Sequence, residues 1–447
     1  MKNFTLRPLA AFLVAAGYSG FAAASGFSLI DQSASSAGNA HSGNAALAED
    51  ASTTYFNPAG LVYVRGSQII NGAHVLVVDG HYTKTTATSG AGTPLTGGDG
   101  GNLGGAAALP NIYYSRELSP AVTFGIGVNA PFGLKTKYQN DWVGRYQATL
   151  SAIKAININP SLGYKVNDSL SIGGGINFQF FAAELVHAID FGTVCFGALG
   201  ALAPSVCAPA GLVPQGKDGQ VKLKGDNWGY GFNLGAMYQL NKETRLGVAY
   251  RSSVHHKING DVTFLIPAGL PGPIASSPNF TNGKATVSVK TPEFLEVSVV
   301  SQIDPKLTVM ADVAYTRWSR LQELRVNFAN GAPSTVTPYE WNNTIRISGG
   351  ASYQMDAAWK LRGGIAWETA GVQDRLRTSV LPDSDRIFVA FGANYRFSKA
   401  NSIDMAYTHG FIKNSTIDHA EPPVGGTIAG NYRSKVDIFS VQFNHNF

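Results

Sequence analysis

The chain ends in the stretch Phe439-Ser440-Val441-Gln442-Phe443-Asn444-His445-Asn446-Phe447, which decides its fold class. Apolar and polar residues alternate up to the terminal Phe447, and His445 is the one break in the apolar set. Successive side chains of a β-strand point to opposite faces, so this segment would present one face to lipid and the other to a polar interior. It predicts a transmembrane strand. Its terminal aromatic residue resembles the signal that barrel proteins present to the barrel assembly machinery.

The other end of the chain has the features of a secretory signal. Lys2 and Arg7 supply positive charge, residues 10–16 form an apolar core, and Ala22-Ala23-Ala24 offers a cleavage site. A membrane anchor is disfavoured, because the apolar run is too short to span roughly 30 Å of hydrocarbon. We therefore expect residues 1–24 to be a signal peptide.

Composition narrows the class further. Of the 447 residues, 44% are hydrophobic, only 14% are charged and 51 are glycine, and the mean hydropathy is −0.01. Past the signal no run of about eighteen apolar residues follows, so we expect no transmembrane helix. The net charge of +5 is not clustered in basic runs, which disfavours a nucleic-acid partner. No catalytic, phosphate-binding or metal motif is present, and we expect neither an enzyme nor a cofactor or metal site.

The chain then reads as strands joined alternately by short and long connections, the last long one near 414–431. Six short and seven long connections give about fourteen strands. Strand 228–240 alternates with Tyr and Trp on its outward face, which disfavours a soluble all-β protein. We predict an all-β fold, a 14-stranded antiparallel transmembrane β-barrel over residues 64–447, monomeric, with its short turns in the periplasm.

Residues 25–63 do not fit the strand pattern. They are small and polar and contain the tight turn Asn57-Pro58-Ala59. Such a segment suits a hatch that folds into the lumen, and the alternative is a disordered periplasmic tail. We predict an N-terminal hatch that plugs the barrel.

Two outer loops are unusually apolar for loops. An apolar concentration of this kind marks a binding surface, although packing of one loop on the other would need the same side chains. Cys195 and Cys207 lie in the first loop and are expected to form a disulfide, which would gain about 3 kcal/mol in the chain-entropy model. The residues predicted to form this outer-loop groove are Phe191, Phe196, Leu199, Leu202, Phe264, Leu265, Ile266 and Leu270.

Several segments together resemble the long-chain fatty acid transporter (FadL) family of outer-membrane proteins. The most specific is Asn57-Pro58-Ala59 at this distance from the mature start, and the resemblance covers essentially the whole mature chain. The other segments are Ser25-Gly26-Phe27, Ser42-Gly43, Ala48-Glu49-Asp50-Ala51, Tyr315-Thr316-Arg317-Trp318-Ser319, Leu381-Pro382-Asp383-Ser384-Asp385-Arg386 and Tyr407-Thr408-His409-Gly410.

The resemblance implies a protein of the bacterial outer membrane that moves hydrophobic compounds, long-chain fatty acids first among them, by passive diffusion. The ligand would pass from the outer-loop groove to a deeper pocket and leave sideways into the membrane lipid. Aromatic hydrocarbons, which some relatives carry, remain the alternative substrate. A hydrophilic porin is a remote alternative, because it would need an open lumen.

The resemblance also implies roles for particular residues. A family lysine that binds the ligand carboxylate falls on Arg325, and a second basic position falls near His187, where this chain has neither Arg nor Lys. Asn57, Pro58 and Ala59 would hold the hatch against the wall near a kink in the third strand. That strand carries Gly125, Gly127, Asn129 and Pro131, which pair poorly and predict a lateral opening.

Overall fold

The computed structural model describes residues 25–90, 92–421 and 424–447. The expected signal peptide lies outside the described residues. Strands make up most of the described chain, and they all belong to one sheet. Among the residues described, no helix has both the length and the apolar character needed to cross a membrane.

The first ten strand segments differ in length, because some wall strands are interrupted and consist of two segments. They are β1 (Ser67–Thr88), β2 (Gly105–Ser119), β3 (Val122–Asn129), β4 (Gly133–Lys137), β5 (Leu150–Lys165), β6 (Leu170–Asp190), β7 (Asp218–Gln239), β8 (Thr244–Arg251), β9 (His255–Leu265) and β10 (Gly283–Lys290).

The remaining segments complete the wall. They are β11 (Phe294–Gln302), β12 (Leu307–Thr316), β13 (Glu323–Phe328), β14 (Thr335–Pro338), β15 (Thr344–Gln354), β16 (Trp359–Glu368), β17 (Arg386–Arg396), β18 (Asn401–Ile412), β19 (Ser415–Glu421) and β20 (Gly426–Asn446). Residues 414–431, expected to be a long loop, instead form most of the β19–β20 hairpin.

The sheet closes on itself. Neighbouring strands pair antiparallel, and β20 pairs with β1 from Gln68↔Asn446 to Thr88↔Thr427. Six wall strands are each interrupted once, so the twenty described segments build fourteen strands. Closure satisfies backbone groups that water cannot reach in lipid. The predicted 14-stranded antiparallel β-barrel is confirmed.

Alternation along the strands sorts side chains between lipid and lumen. On β7, Trp228, Tyr230 and Phe232 are exposed on the outer face, whereas Gly229 and Gly231 face inward and are covered by β9 and the residues before it. The outer face is therefore apolar and the inner face small or polar, as a membrane barrel requires.

The N-terminal segment fills the lumen. It contains the short helices α1 (Ala34–Ala37), α2 (Asn44–Leu47) and α3 (Thr53–Phe56), followed by the 3-10 helix Pro58–Tyr63. Nearly every residue of this hatch is buried although its side chains are small. Inward-facing glycines of the wall make room for it. A Cβ on Gly247 would lie 1.9 Å from Ala45 O, and one on Gly364 would lie 2.1 Å from Asn39 O.

Buried ion pairs fix the hatch. Glu49 lies 2.8 Å from Arg362 and 2.9 Å from Lys360, and Arg362 also binds Asp404 at 2.6 Å. Burial alone would raise the pKa of Glu49, but the positive charges of Lys360 and Arg362 hold that pKa below its ordinary value. Breaking such a buried pair by removing one partner is costly, because the other charge is left uncompensated.

The outer loops form their own compact layer. Helices α4 (Phe191–Leu199) and α5 (Ala203–Val206) are joined by the Cys195–Cys207 disulfide, and α6 (Gly272–Ala275) lies in the loop after β9. The rings of Phe191 and Phe280 pack 4.9 Å apart between the two loops.

The glycine face of the wall gives a test of hatch packing. Gly364→Val should displace the hatch and lower stability by roughly 1–3 kcal/mol, the usual cost of overpacking, because the new side chain would collide with Asn39. The neighbouring Gly363 faces outward, with its nearest atom 3.9 Å from a built Cβ, so Gly363→Val is the matched control. Thermal unfolding and protease cleavage of residues 25–63 would be measured. Equal effects in both variants would contradict tight packing of the hatch on the wall.

Candidate functional site

An apolar cavity, called the upper cavity below, lies beneath the outer loops. Its walls come from inward faces of β5, β6, β7, β9 and β10, from loop residues 372–381, and from the hatch through Phe27. Among its lining residues are Leu134, Ile153, Phe181, Leu185, Leu223, Ile258, Val287, Leu321, Leu324, Trp341 and Leu381. A chamber of this composition suits an apolar ligand.

The upper cavity exists because the wall lacks side chains at one level. One row of cross-strand partners runs over β6, β7, β9 and β10, and it consists of Ala183, Gly225, Gly260 and Ala285. All four face inward and line the cavity. This row of small residues leaves the width of several side chains unfilled, and the space is enclosed by larger apolar groups above and below.

No charged side chain that faces inward lines the upper cavity within the described chain. Lys224 and Asp261 border it through their backbone positions, but both alternate onto the exposed outer face. The structure does not place Arg325, the residue predicted to bind the ligand carboxylate, at this cavity. Leu324 and Val326 face inward on β13, so Arg325 points outward, 48% exposed, and its Nε donates to Glu323 at 2.8 Å.

His187 occupies a different position from Arg325. It faces the interior one inward-facing position beyond Leu185, which lines the upper cavity. Its Nδ1 lies 3.0 Å from Ala188 O. The structure therefore places His187 at the outer end of the cavity without making it a lining residue, and it does not bring Arg325 and His187 to one site.

A second cavity lies on the other side of an aromatic partition. Phe27 lines the upper cavity and Phe132 lines the second, and their rings meet edge to face at 5.7 Å. The ring of Trp318 packs 4.8 Å from Phe27 and 6.4 Å from Phe132. The second cavity is more polar, and its lining includes Tyr55 and Arg251.

The third wall strand is interrupted beside this partition. β3 pairs with β2 only from Ile112↔Val128 onward, and β4 pairs with β5 alone. Within the described chain, residues 105–111 of β2 therefore pair with β1 but with no strand on their other side. Gly125 and Gly127 lie below the break, where their inward faces contact the hatch residue Leu61 and the ring of Tyr113.

The N-terminal hatch segment takes over the pairing at the break. Ser28 and Phe132 form an antiparallel bridge. Leu29 N donates to Pro131 O at 2.9 Å, and Gly133 N donates to Phe27 O at 2.9 Å. Asn129, inside the barrel, donates to the Tyr113 hydroxyl at 3.3 Å. The interruption is thus hydrogen-bonded to the hatch on one side and to β5 on the other, and not to β2.

The Asn57-Pro58-Ala59 turn lies elsewhere than predicted. Asn57 Nδ2 donates to Ala45 O at 2.6 Å and, across the wall, to Ala236 O and Val248 O at 3.2 Å. Its Oδ1 accepts from Ala59 N at 3.0 Å. Asn57 therefore holds the hatch against β7 and β8, and none of these hydrogen bonds reaches the third strand, which the hatch contacts through Leu61.

The predicted outer-loop groove is mostly a packing core. Phe191 is fully buried, and Phe196, Leu199, Phe264, Ile266 and Leu270 pack around the disulfide helices. Leu202 and Leu265 remain 63% and 68% exposed. Loop-on-loop packing accounts for most of the apolar concentration, because these loops must cover the upper cavity.

These features define a plugged membrane barrel that encloses an apolar chamber, which is the architecture of an outer-membrane transport protein. The chain belongs to the outer membrane protein transport protein family (OMPP1/FadL/TodX), whose model matches residues 15–447. It is a protein of the bacterial outer membrane. A putative outer membrane protein of Neisseria meningitidis serogroup B is 31% identical over 446 residues, 95% of each chain.

Other similar proteins have a named function. The long-chain fatty acid transport protein of Escherichia coli is 28% identical, with 94% of each chain covered. The solved structure of a Pseudomonas aeruginosa FadL homologue matches with a TM-score of 0.86 at 24% identity, covering 94% of this chain and 100% of that one. A Ralstonia pickettii toluene transporter matches with a TM-score of 0.66 at 20% identity, covering 94% and 100%. At these identities the two structures show a shared fold.

The position of Arg325 gives a direct test. Arg325→Ala should leave binding of palmitic acid within twofold of wild type and change stability by less than about 1 kcal/mol, as expected for an exposed ion pair. Binding would be measured with purified protein in mild detergent. A selective loss of palmitic acid binding, with hexadecanol binding unchanged, would return Arg325 to the ligand site.

Proposed function

We propose that this protein carries long-chain fatty acids across the outer membrane by passive diffusion. The observation that supports this most directly is the upper cavity, whose inward-facing lining is almost wholly apolar. Transfer of an alkyl chain from water into such a chamber gains about 0.8 kcal/mol per buried CH₂ group. The relative named as a long-chain fatty acid transport protein agrees with this substrate.

Aromatic hydrocarbons are the second candidate substrate. The observation that favours them is the lack of an inward-facing charge along the upper cavity, because a hydrocarbon needs no counter-ion. Relatives of similar fold include a toluene transporter. The two substrates differ in length, so the cavity itself can discriminate between them.

We propose further that the ligand leaves sideways at the interruption of the third strand, through Gly125, Gly127, Asn129 and Pro131. Support comes from the missing pairing between β2 and β4 and from the hatch segment that occupies the break. Lateral release into lipid would spare an apolar molecule the polar underside of the hatch. No energy source is needed, because movement of the hatch segment opens the path.

We also infer that the barrel works as a monomer, since both cavities and the proposed exit lie within one chain. The C-terminal strand ends with Phe447 exposed beside His445. That exposed terminus is available to the barrel assembly machinery during insertion.

Filling the upper cavity tests the substrate. Ala285→Phe should lower palmitic acid affinity at least tenfold, because the ring would occupy the row of small residues. Thr286→Phe, which points to the outer face, is the matched control. Titration of purified protein with palmitic acid and with toluene would be compared. If wild-type protein binds toluene and not palmitic acid, the hydrocarbon function is correct instead.

Locking the hatch to the wall tests the exit. Ser28 and Phe132 are antiparallel partners, and such partners have Cα atoms about 4.5–5.5 Å apart, within reach of a disulfide. The double variant with cysteine at both positions should lose palmitic acid uptake when oxidised and regain it on mild reduction. Each single variant and the wild type, given the same treatment, are controls. Full uptake by the oxidised double variant would reject the lateral route.

A further inference from the structure

The second cavity contains a half-buried cation that the proposed function does not use. Arg251 ends β8 with its side chain facing the lumen, where it lines the cavity. Its Nη1 donates to Asn177 Oδ1 at 2.5 Å and its Nη2 to Tyr55 O at 2.6 Å. The guanidinium lies 4.2 Å from the centre of the Tyr55 ring. All of these partners are formally neutral.

A half-buried guanidinium that has no counter-ion is unusual, because moving an unpaired charge even partly out of water is costly. Within the described chain no carboxylate oxygen comes within ion-pair distance of Arg251, which has no salt bridge. Its two hydrogen bonds use two of the five N–H groups of an arginine. The remaining donors are available to an acceptor in the cavity.

The other charged groups of the second cavity are already grouped with each other. Glu296 and Glu368 both act electrostatically on Arg346, and Arg346 also lies 3.6 Å from Asp312. Arg386 also acts electrostatically on Glu368, so two arginines serve the three carboxylates at that end of the cavity. Arg251 stands apart from this group, with only the phenols of Tyr55 and Tyr113 as electrostatic neighbours.

We propose that Arg251 binds the carboxylate of the transported ligand in the second cavity. The inference rests on the proposed function and names the residue that distinguishes an acid from a neutral amphiphile. The upper cavity receives the alkyl chain, and displacement of Phe27 joins the two cavities. The carboxylate then meets Arg251, and the planar guanidinium donates two parallel hydrogen bonds to its oxygens.

The rival explanation is that Arg251 only tethers the hatch through Tyr55. Arg245 on the same strand is a matched control for tethering. It packs 3.7 Å from the centre of the Tyr63 ring, and its Nη1 donates to the hatch carbonyl Ala46 O at 3.3 Å. Arg245 lines neither of the two cavities. Removing either arginine therefore loosens the hatch, whereas only Arg251 can contact a ligand.

The experiment compares Arg251→Met, Arg251→Lys and Arg245→Met. Accumulation of radiolabelled palmitic acid and of hexadecanol would be measured in cells whose own fatty-acid transporter is deleted, at matched amounts of folded barrel. The proposal expects Arg251→Met to lower acid uptake at least tenfold relative to alcohol uptake. Arg251→Lys should recover part of that preference, and Arg245→Met should change acid and alcohol uptake by the same factor.

The outcomes separate the two levels of proposal. Equal loss of acid and alcohol in Arg251→Met, matching Arg245→Met, overturns the carboxylate role and leaves Arg251 as a tether. Unchanged acid uptake in Arg251→Met overturns it as well. If wild-type protein accumulates neither compound, the fatty-acid function itself fails. Should Arg251→Met fail to fold, the acid-to-alcohol ratio of Arg251→Lys against wild type decides, because a shortened cation without the fork must lower that ratio.

Discussion

A strand that crosses a membrane must pair its backbone N–H and C=O groups, because lipid offers no alternative partner. The third wall strand breaks this rule between Asn129 and Gly133, and the hatch repairs it. Leu29 and Phe27 bond to Pro131 and Gly133 where a neighbouring strand would normally pair. The plug and the wall are therefore one hydrogen-bonded unit, and the hatch segment cannot leave its place without uncovering the break.

The size of the inward-facing wall residues and the path of the hatch together determine which parts of the lumen are filled. Where glycines such as Gly247 and Gly364 line the wall, hatch backbone lies directly against strand backbone and no cavity remains. Where small residues line the wall but the hatch does not reach, as at Ala183 and Ala285, they border the upper cavity instead. Small side chains thus serve opposite purposes at two levels of one barrel, and the path of the hatch decides which.

The sequence predicted the barrel because period-two alternation and alternating turn lengths are properties of each strand alone. It misassigned residues 414–431, whose hairpin lacks an apolar outer face. Arg325 was placed by counting from Trp318, but the count cannot reveal which face a residue takes after the 3-10 helix Trp318–Arg320 interrupts the strand. Arg251 was missed because the sequence does not show whether an acidic side chain lies beside an inward-facing arginine. The available signal was its position among the inward-facing residues of β8.

The two cavities differ in chemistry. The partition between them is formed by the hatch segment and the interrupted strand. Phe27 belongs to the hatch segment and Phe132 to the interrupted strand, and the backbone of the same residues pairs across the break. Displacing the rings to connect the cavities also breaks the hydrogen bonds that cover the wall. If the ligand leaves by the proposed lateral route, connecting the cavities and opening the wall are one motion rather than two. A ligand that spans both cavities, with an apolar chain above and a polar group near Arg251, stabilises the connected state more than one confined to either cavity, because it contacts surfaces that only that state joins.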